Sequence, residues 1–429
     1  MTVTPVRSQA PQRTATSTAA SRATTRDTSV DAIRAACLII VVALHATMVG
    51  VGRGPHGVII ENALEDQPWF APVSWIVQVM PLFFIAGGFS AFTQWQRMAA
   101  RGASAGDYVR ARLTRLLVPA IAMVATVGVG LTVLIAAGLP HELVATAGFR
   151  IGQPLWFLAV YLGCSAMVPL MVRAHERAPW PTTALLAAAV VTVDIVRLAT
   201  GVQAVGFLNL ALVWLLVQQL GFWLADGRVA AMSVRARLRV AGAAAAMILV
   251  LSATGLYSPD MYVNLNPPTL SIVLLGVIQL MLFSIVAPRI RAWMRHSGLS
   301  SVVNAIGSRA MTAYLWHMSV LVALAGLLLV SGLPLPHPLS FDWWASRPTW
   351  LVVVAFAVIA VVRVTERFET RRRAVAGQAT GPLTLTLATL LGVAAVGILL
   401  VVGFTPATAA ASIPLMLLAI RASETRQAA

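Results

Sequence analysis

Twelve mainly apolar stretches follow one another along this chain, near 31–51, 72–95, 116–137, 154–173, 183–200, 207–225, 237–256, 269–288, 309–331, 349–363, 383–403 and 407–420. A helix that crosses a bilayer needs about 20 such residues. Hydrocarbon offers no partner to a bare backbone N–H or C=O, so runs of this kind must form helices. The expected fold class is all-α: a polytopic transmembrane helix bundle with a ten-helix core and a C-terminal helical hairpin. The last run is short enough to be re-entrant or interfacial instead. With 59% hydrophobic and 11% charged residues, the chain does not fit a soluble globular class. No internal repeat and no soluble domain is visible.

A formal charge of +16 would suggest nucleic acid as a partner of a soluble chain. Here the 31 basic residues are all arginine and lie mostly between the apolar runs, so the expected partner is the lipid bilayer and not nucleic acid. Positive residues near helix ends stay on the cytoplasmic side. One set of segments is arginine-rich: the N-terminal tail, 97–115, 228–239, 289–309 and 363–373. The alternating set includes 52–69 with Glu61, Glu65 and Asp66, and 257–268, which has no arginine. The expectation is a multi-pass protein of the inner (plasma) membrane with both termini cytoplasmic. Cys37 and Cys164 fall inside apolar runs, where they act as small hydrophobes.

The chain divides accordingly. Residues 1–27 are expected as a disordered cytoplasmic tail, since Thr, Ser, Ala, Gln and Arg dominate them and cannot bury a core. That composition also resembles an organelle transit peptide, which nothing else in the chain supports. The ten-helix membrane domain spans 28–370, a cytoplasmic linker 371–382, the extra transmembrane hairpin 383–421 and a cytoplasmic tail 422–429.

Within the first apolar run, Asp31, Arg34 and His45 form a polar stripe. At about 100° per residue, Arg34 and His45 lie within roughly 20° of one another around the helix, about 16 Å apart along it. Charge at membrane depth is costly unless it faces the bundle interior or a water-filled cavity, so the stripe is a functional candidate. Simpler readings remain open: Asp31 as the third helical residue of a capping box begun by Thr28, Arg34 as a snorkelling inner-leaflet residue, His45 as a structural hydrogen-bonding group. Arg112 and Arg115 are three apart on one helical surface, with Arg110 close by. Asp194 and Arg197 are an i,i+3 pair that reads as a membrane ion pair or an acceptor site. Gly87 and Gly88 permit close helix contact. Trp69, Trp343, Trp344 and Trp350 read as an aromatic belt at the outer interface.

The spacing Arg34-x10-His45 resembles the signature of the integral-membrane acyltransferase-3 family, bacterial enzymes that O-acylate sugars, glycans and other acceptors. Four further segments fit in order: "MPLFFIAGGFSAFTQW" (80–95), "YVRARLTRLLVP" (108–119), "PLWFLAVYLGCSAMVPLM" (154–171) and "MTAYLWHMSVLVAL" (311–324). The segments 205–222 and 266–270 look like an actinobacterial-type branch.

Acyl transfer from a thioester to a hydroxyl needs a base, and His45 suits that task. The resemblance implies the same role, and Arg34 and Asp31 are the further catalytic candidates on the stripe. Arg34 suits the carrier's pantetheine or phosphate end, and Asp31 suits holding Arg34 in place. For Arg112, Arg115 and Arg110 the resemblance implies contact with the nucleotide of the acyl-coenzyme A donor, acetyl-coenzyme A in the simplest case; ordinary positive-inside topology explains them as well. His317 matches a family motif and joins Asp194, Arg197 and Trp156 as candidates for substrate binding. No permanently bound cofactor and no metal site is expected. The acceptor is expected to be a hydroxyl-bearing carbohydrate, glycan or other molecule at the outer face. A transporter or flippase for a lipid-linked or small polar substrate is the alternative.

Overall fold

The structure, a computed structural model, describes residues 27–54, 57–369 and 381–424. The tails expected over 1–27 and 422–429 and the linker over 371–382 lie, apart from their edges, outside the described residues. The helices are α1 (Thr28–Met48), α2 (Phe70–Val77), α3 (Met80–Ala100), α4 (Ala105–Ala136), α5 (His141–Gly152), α6 (Leu155–Arg177), α7 (Pro179–Thr200) and α8 (Asn209–Ala225). They continue as α9 (Arg228–Ala231), α10 (Val234–Ala253), α11 (Leu270–His296), α12 (Ser300–Val330), α13 (Phe341–Glu369), α14 (Pro382–Val401) and α15 (Pro406–Ser423). Among the described residues, 12 helical segments are long and apolar enough to cross a membrane, one for each apolar run. The molecule is an all-α polytopic bundle, and the run ending at 420 forms a full-length helix.

Several segments depart from the simple pattern. Residues 49–62 form a two-stranded antiparallel hairpin, β1 (Val49–Gly54) and β2 (Gly57–Asn62), in which Val51 pairs with Ile60. Glycine at 50, 52, 54 and 57 disfavours continuing α1. The span Phe70–Ala100 is broken at Gln78–Val79 and the span His141–Arg177 at Gln153–Pro154; Pro81 in the first turn of α3 marks the new start. The span Gln203–Ala225 opens with a 3-10 turn over Gln203–Leu208. The arginines expected in the inner segment 97–115 are partly helical, because α4 begins at Ala105. There Ser104 and Asp107 form a reciprocal capping box.

Helix contact follows the small residues. A Cβ on Gly88 would stand 2.3 Å from the Gln218 carbonyl oxygen of α8, so α3 and α8 touch backbone to backbone there. The hairpin α14–α15 is not a loose appendage: it packs on α4 and α6, and Phe404 and Ala409 belong to the same buried cluster as Leu117 and Leu158. Cys37 and Cys164 are buried free thiols.

Two expectations are corrected. The tryptophans divide: Trp69 and Trp344 are exposed and Trp343 and Trp350 are buried. The buried pair flanks the guanidinium of Arg347, 4.3 Å and 5.7 Å from the ring centroids. Only half of the proposed belt therefore faces outward. The helix start also differs. Asp27, not Thr28, caps α1, accepting a hydrogen bond from Ser29 N at 2.9 Å, and it pairs with Arg291 at 2.7 Å. Asp31 is not in a capping box with Thr28.

Candidate active site

The stripe on α1 runs Arg34, Leu38, Val41, His45. The first three line a cavity that holds about 860 Å³ of space unfilled by protein atoms, part of it open to the surroundings. Four other helices complete it: Met80, Phe83, Ser90 and Gln94 from α3; Arg112, Arg115 and Leu116 from α4; Phe157 and Tyr161 from α6; and Gly307, Ala310, Met311 and Tyr314 from α12. Gly87 leaves room for the Tyr161 ring, whose nearest atom would stand 3.6 Å from an added Cβ.

Three guanidinium groups thus share one cavity, and none of its lining residues is acidic. Arg112 Nη2 donates to Gln94 Oε1 at 2.5 Å and its guanidinium lies 5.1 Å from the Tyr108 ring centroid. The Nε atoms of Arg34 and Arg112 are buried and have no hydrogen-bond partner among the described residues. Buried charge with unmet donors is costly, and planar guanidinium forks match phosphate or carboxylate. A cavity with this lining suits an anion.

His45 meets an unexpected partner. Its Nδ1 lies 2.9 Å from Nε2 of His317 on α12, and the rings are nearly parallel at 17° with centroids 5.1 Å apart. His317 Nδ1 lies 2.5 Å from the Tyr314 carbonyl oxygen. A carbonyl only accepts, so His317 Nδ1 carries the proton, and in the neutral ring Nε2 must then accept. Its donor is His45 Nδ1–H. The network fixes both tautomers and leaves the lone pair on His45 Nε2. His317 is fully buried and His45 half-buried.

The other sequence candidates separate. Arg110 turns away from Arg112 and Arg115, since two residues along a helix amount to about 200°. Its Nε donates to the Ser423 carbonyl at 2.9 Å and it pairs with Asp107 at 3.5 Å; it lies outside the cavity. Asp31 is half-buried in the first turn of α1. Asp194 and Arg197 form no ion pair, which corrects the simpler expectation for them. Asp194 accepts from Asn209 Nδ2 at 3.0 Å, from the Tyr257 hydroxyl at 2.6 Å and from Leu270 N at 2.9 Å. Burial and the bond to Asp194 push the Tyr257 hydroxyl well above its ordinary pKa, so it stays a donor. Arg197 reaches Gln203 instead, at 3.4 Å. Trp156 stacks on Trp214, 5.5 Å between centroids, and it is its neighbour Phe157 that lines the cavity.

Sequence reasoning missed Gln94, Tyr161 and Tyr314, each a polar group within an apolar run. It also missed His175, whose Nε2 donates to Asp226 at 2.9 Å while its Nδ1 accepts from Gln219 at 2.7 Å.

A family model for an acyltransferase domain, acyltransferase-3, matches residues 27–365, well over half of the chain. The chain belongs to the acyltransferase-3 family. It is accordingly a membrane acyltransferase, and the match takes in every helix that lines the cavity while stopping short of α14 and α15. No curated protein and no solved structure matches this acyltransferase.

Proposed function

We propose that this acyltransferase takes an acyl group, acetyl in the simplest case, from acyl-coenzyme A on the cytoplasmic side. It passes the group to a hydroxyl of a carbohydrate, glycan or similar acceptor at the outer face of the plasma membrane. The observation that carries this reading is the alignment on α1 of a bare imidazole lone pair, at His45 Nε2, with a cavity bearing three guanidinium groups. Arg112 and Arg115 hold the donor's nucleotide phosphates and Arg34 its inner arm. Asp31, three residues before Arg34 on the same helix, holds it in place.

In the transfer the acceptor O–H gives its proton to His45 Nε2 as its oxygen bonds to the thioester carbon. The C–S bond then breaks, and the departing thiolate takes the proton from His45, leaving ester and free thiol. His317 holds His45 in the tautomer that keeps Nε2 available, which is a positioning role. The same nitrogen would carry the acyl group in a two-step route through acyl-histidine. The helix breaks at Gln78 and Gln153 and the charges inside the bundle are features shared with transporters; membership of an acyltransferase family favours acyl transfer.

The test uses membranes containing the protein, supplied with acetyl-coenzyme A labelled in its acetyl group. Label should appear on an outer-face acceptor with wild-type protein and be absent with an equally abundant His45→Ala variant. No labelled acceptor, together with substrate flux across vesicles that depends on His45, would replace this reading by transport.

A further inference from the structure

The cavity stops one helical turn short of the imidazole pair, on two helices at once. Along α1 it touches Arg34, Leu38 and Val41, and the next residue on that face is His45. Along α12 it touches Gly307, Ala310, Met311 and Tyr314, and the next is His317. Neither histidine lines it. One turn is about 5.4 Å of rise along each helix.

Tyr314 occupies that turn. Its hydroxyl donates to the Pro154 carbonyl at the break between α5 and α6. Its ring meets Phe157 at 4.7 Å and 61° and lies 5.6 Å from the His317 ring. Phe157 in turn lies against Tyr161, 5.3 Å and 17°. The result is an aromatic wall whose member nearest the imidazoles is Tyr314, held at both ends: by its hydroxyl on Pro154, and by its own carbonyl on His317.

We propose that Tyr314 is the partition between the guanidinium-lined cavity and the His45–His317 pair. Resting on the donor reading above, it decides which nucleophile reaches the thioester. While the ring stands, the bound thioester is shielded from water activated at His45. Transfer requires the ring to turn and release Pro154. Without the partition, water replaces the acceptor: its oxygen bonds to the thioester carbon, its proton passes to His45 Nε2, the C–S bond breaks, and acid and thiol leave.

The partition is tested first without any donor. Cysteines are placed singly as Val41→Cys and His45→Cys, with Cys37 and Cys164 replaced by alanine, in sealed vesicles of both orientations. They are treated with the anionic reagent 2-sulfonatoethyl methanethiosulfonate. The face from which Val41→Cys reacts defines the cavity side. From that side His45→Cys should react at least about 10-fold more slowly, and adding Tyr314→Ala should remove most of the difference. Tyr314→Phe keeps the ring and loses only the Pro154 bond, so it should give an intermediate rate and guard against a misfolded alanine variant. Equal rates at 41 and 45 with Tyr314 intact overturn the partition; so does a Val41→Cys that reacts from neither face.

The second measurement is thiol release from acetyl-coenzyme A without acceptor. Tyr314→Ala should raise it about 10-fold, and Tyr314→Ala with His45→Ala should not. Labelling that opens while thiol release stays flat keeps the partition and removes the acyl thioester as occupant, so the two failures are distinguishable.

Discussion

In the proposed reading the chemistry rests on two imidazoles whose relation is set by one backbone carbonyl. If His45 Nε2 is the base, His45→Ala should lower acyl transfer by roughly 10²–10⁴-fold, with the protein still inserted, as turnover assays at matched protein amount would register. His317 gives the finer test. His317→Gln offers an amide oxygen to accept from His45 Nδ1–H and should retain part of the activity, whereas His317→Leu offers nothing and should approach the His45→Ala level. Equal activity in the two His317 variants would remove the tautomer-holding role. At the anion site, replacing Arg112 and Arg115 together by lysine keeps charge and loses the planar fork. Affinity for coenzyme A should fall by about 1–3 kcal/mol in calorimetry, while Arg101→Lys leaves it unchanged. That Arg34 and His45 share one helix face, and Arg112 and Arg115 another, was legible because a helix face can be read from spacing alone. His317 was not recognisable as the partner of His45, since a pair separated by 272 residues exists only through helix packing. The departure of Arg110 was legible in principle from the angle between positions 110 and 112.

Among the elements, α3 is the most exacting, because it contributes four cavity residues and touches α8 through Gly88. Gly88→Ala should push the two helices apart and cost about 1–3 kcal/mol, seen as a lower midpoint of thermal unfolding in detergent. Gly163→Ala, where an added Cβ meets nothing within 4 Å, serves as the control. The turn after α8 supplies a pH test. Burial raises the Asp226 pKa, but the hydrogen bond from His175 and the adjacent Arg228 outweigh it and hold the carboxyl below its ordinary value. A depressed carboxyl contributes stability that is present above its unfolded pKa and lost as pH falls through the folded one. Thermal midpoints should therefore fall toward acid pH less steeply in Asp226→Asn than in wild type. Apolar run length disclosed all twelve spans, since that property is local. The breaks at Gln78 and Gln153 and the hairpin at 49–62 were not disclosed, because an interrupted helix keeps the same hydropathy and the strands pair only with each other.

For the whole molecule, twelve candidate spans would put both termini on one side, and the arginine-rich segments are the argument for the cytoplasm as that side. A cysteine placed at residue 62 should react with an impermeant reagent in intact cells, and one at residue 104 only after permeabilisation; the opposite pattern would reverse the direction of the proposed transfer. The hairpin α14–α15 lies beyond the family match and yet covers α4, the helix that carries two of the three cavity arginines. Its last carbonyl contact, from Arg110 to Ser423, joins residues 313 apart. At roughly 5–20 residues per second of synthesis, Arg110 leaves the ribosome about 15–60 s before its partner exists. Through that interval the guanidinium keeps Asp107, three residues back on its own helix, as a partner, while its Nε still waits for an acceptor. The cover over α4 is thus completed late in synthesis, by a stretch made long after the helix it packs against.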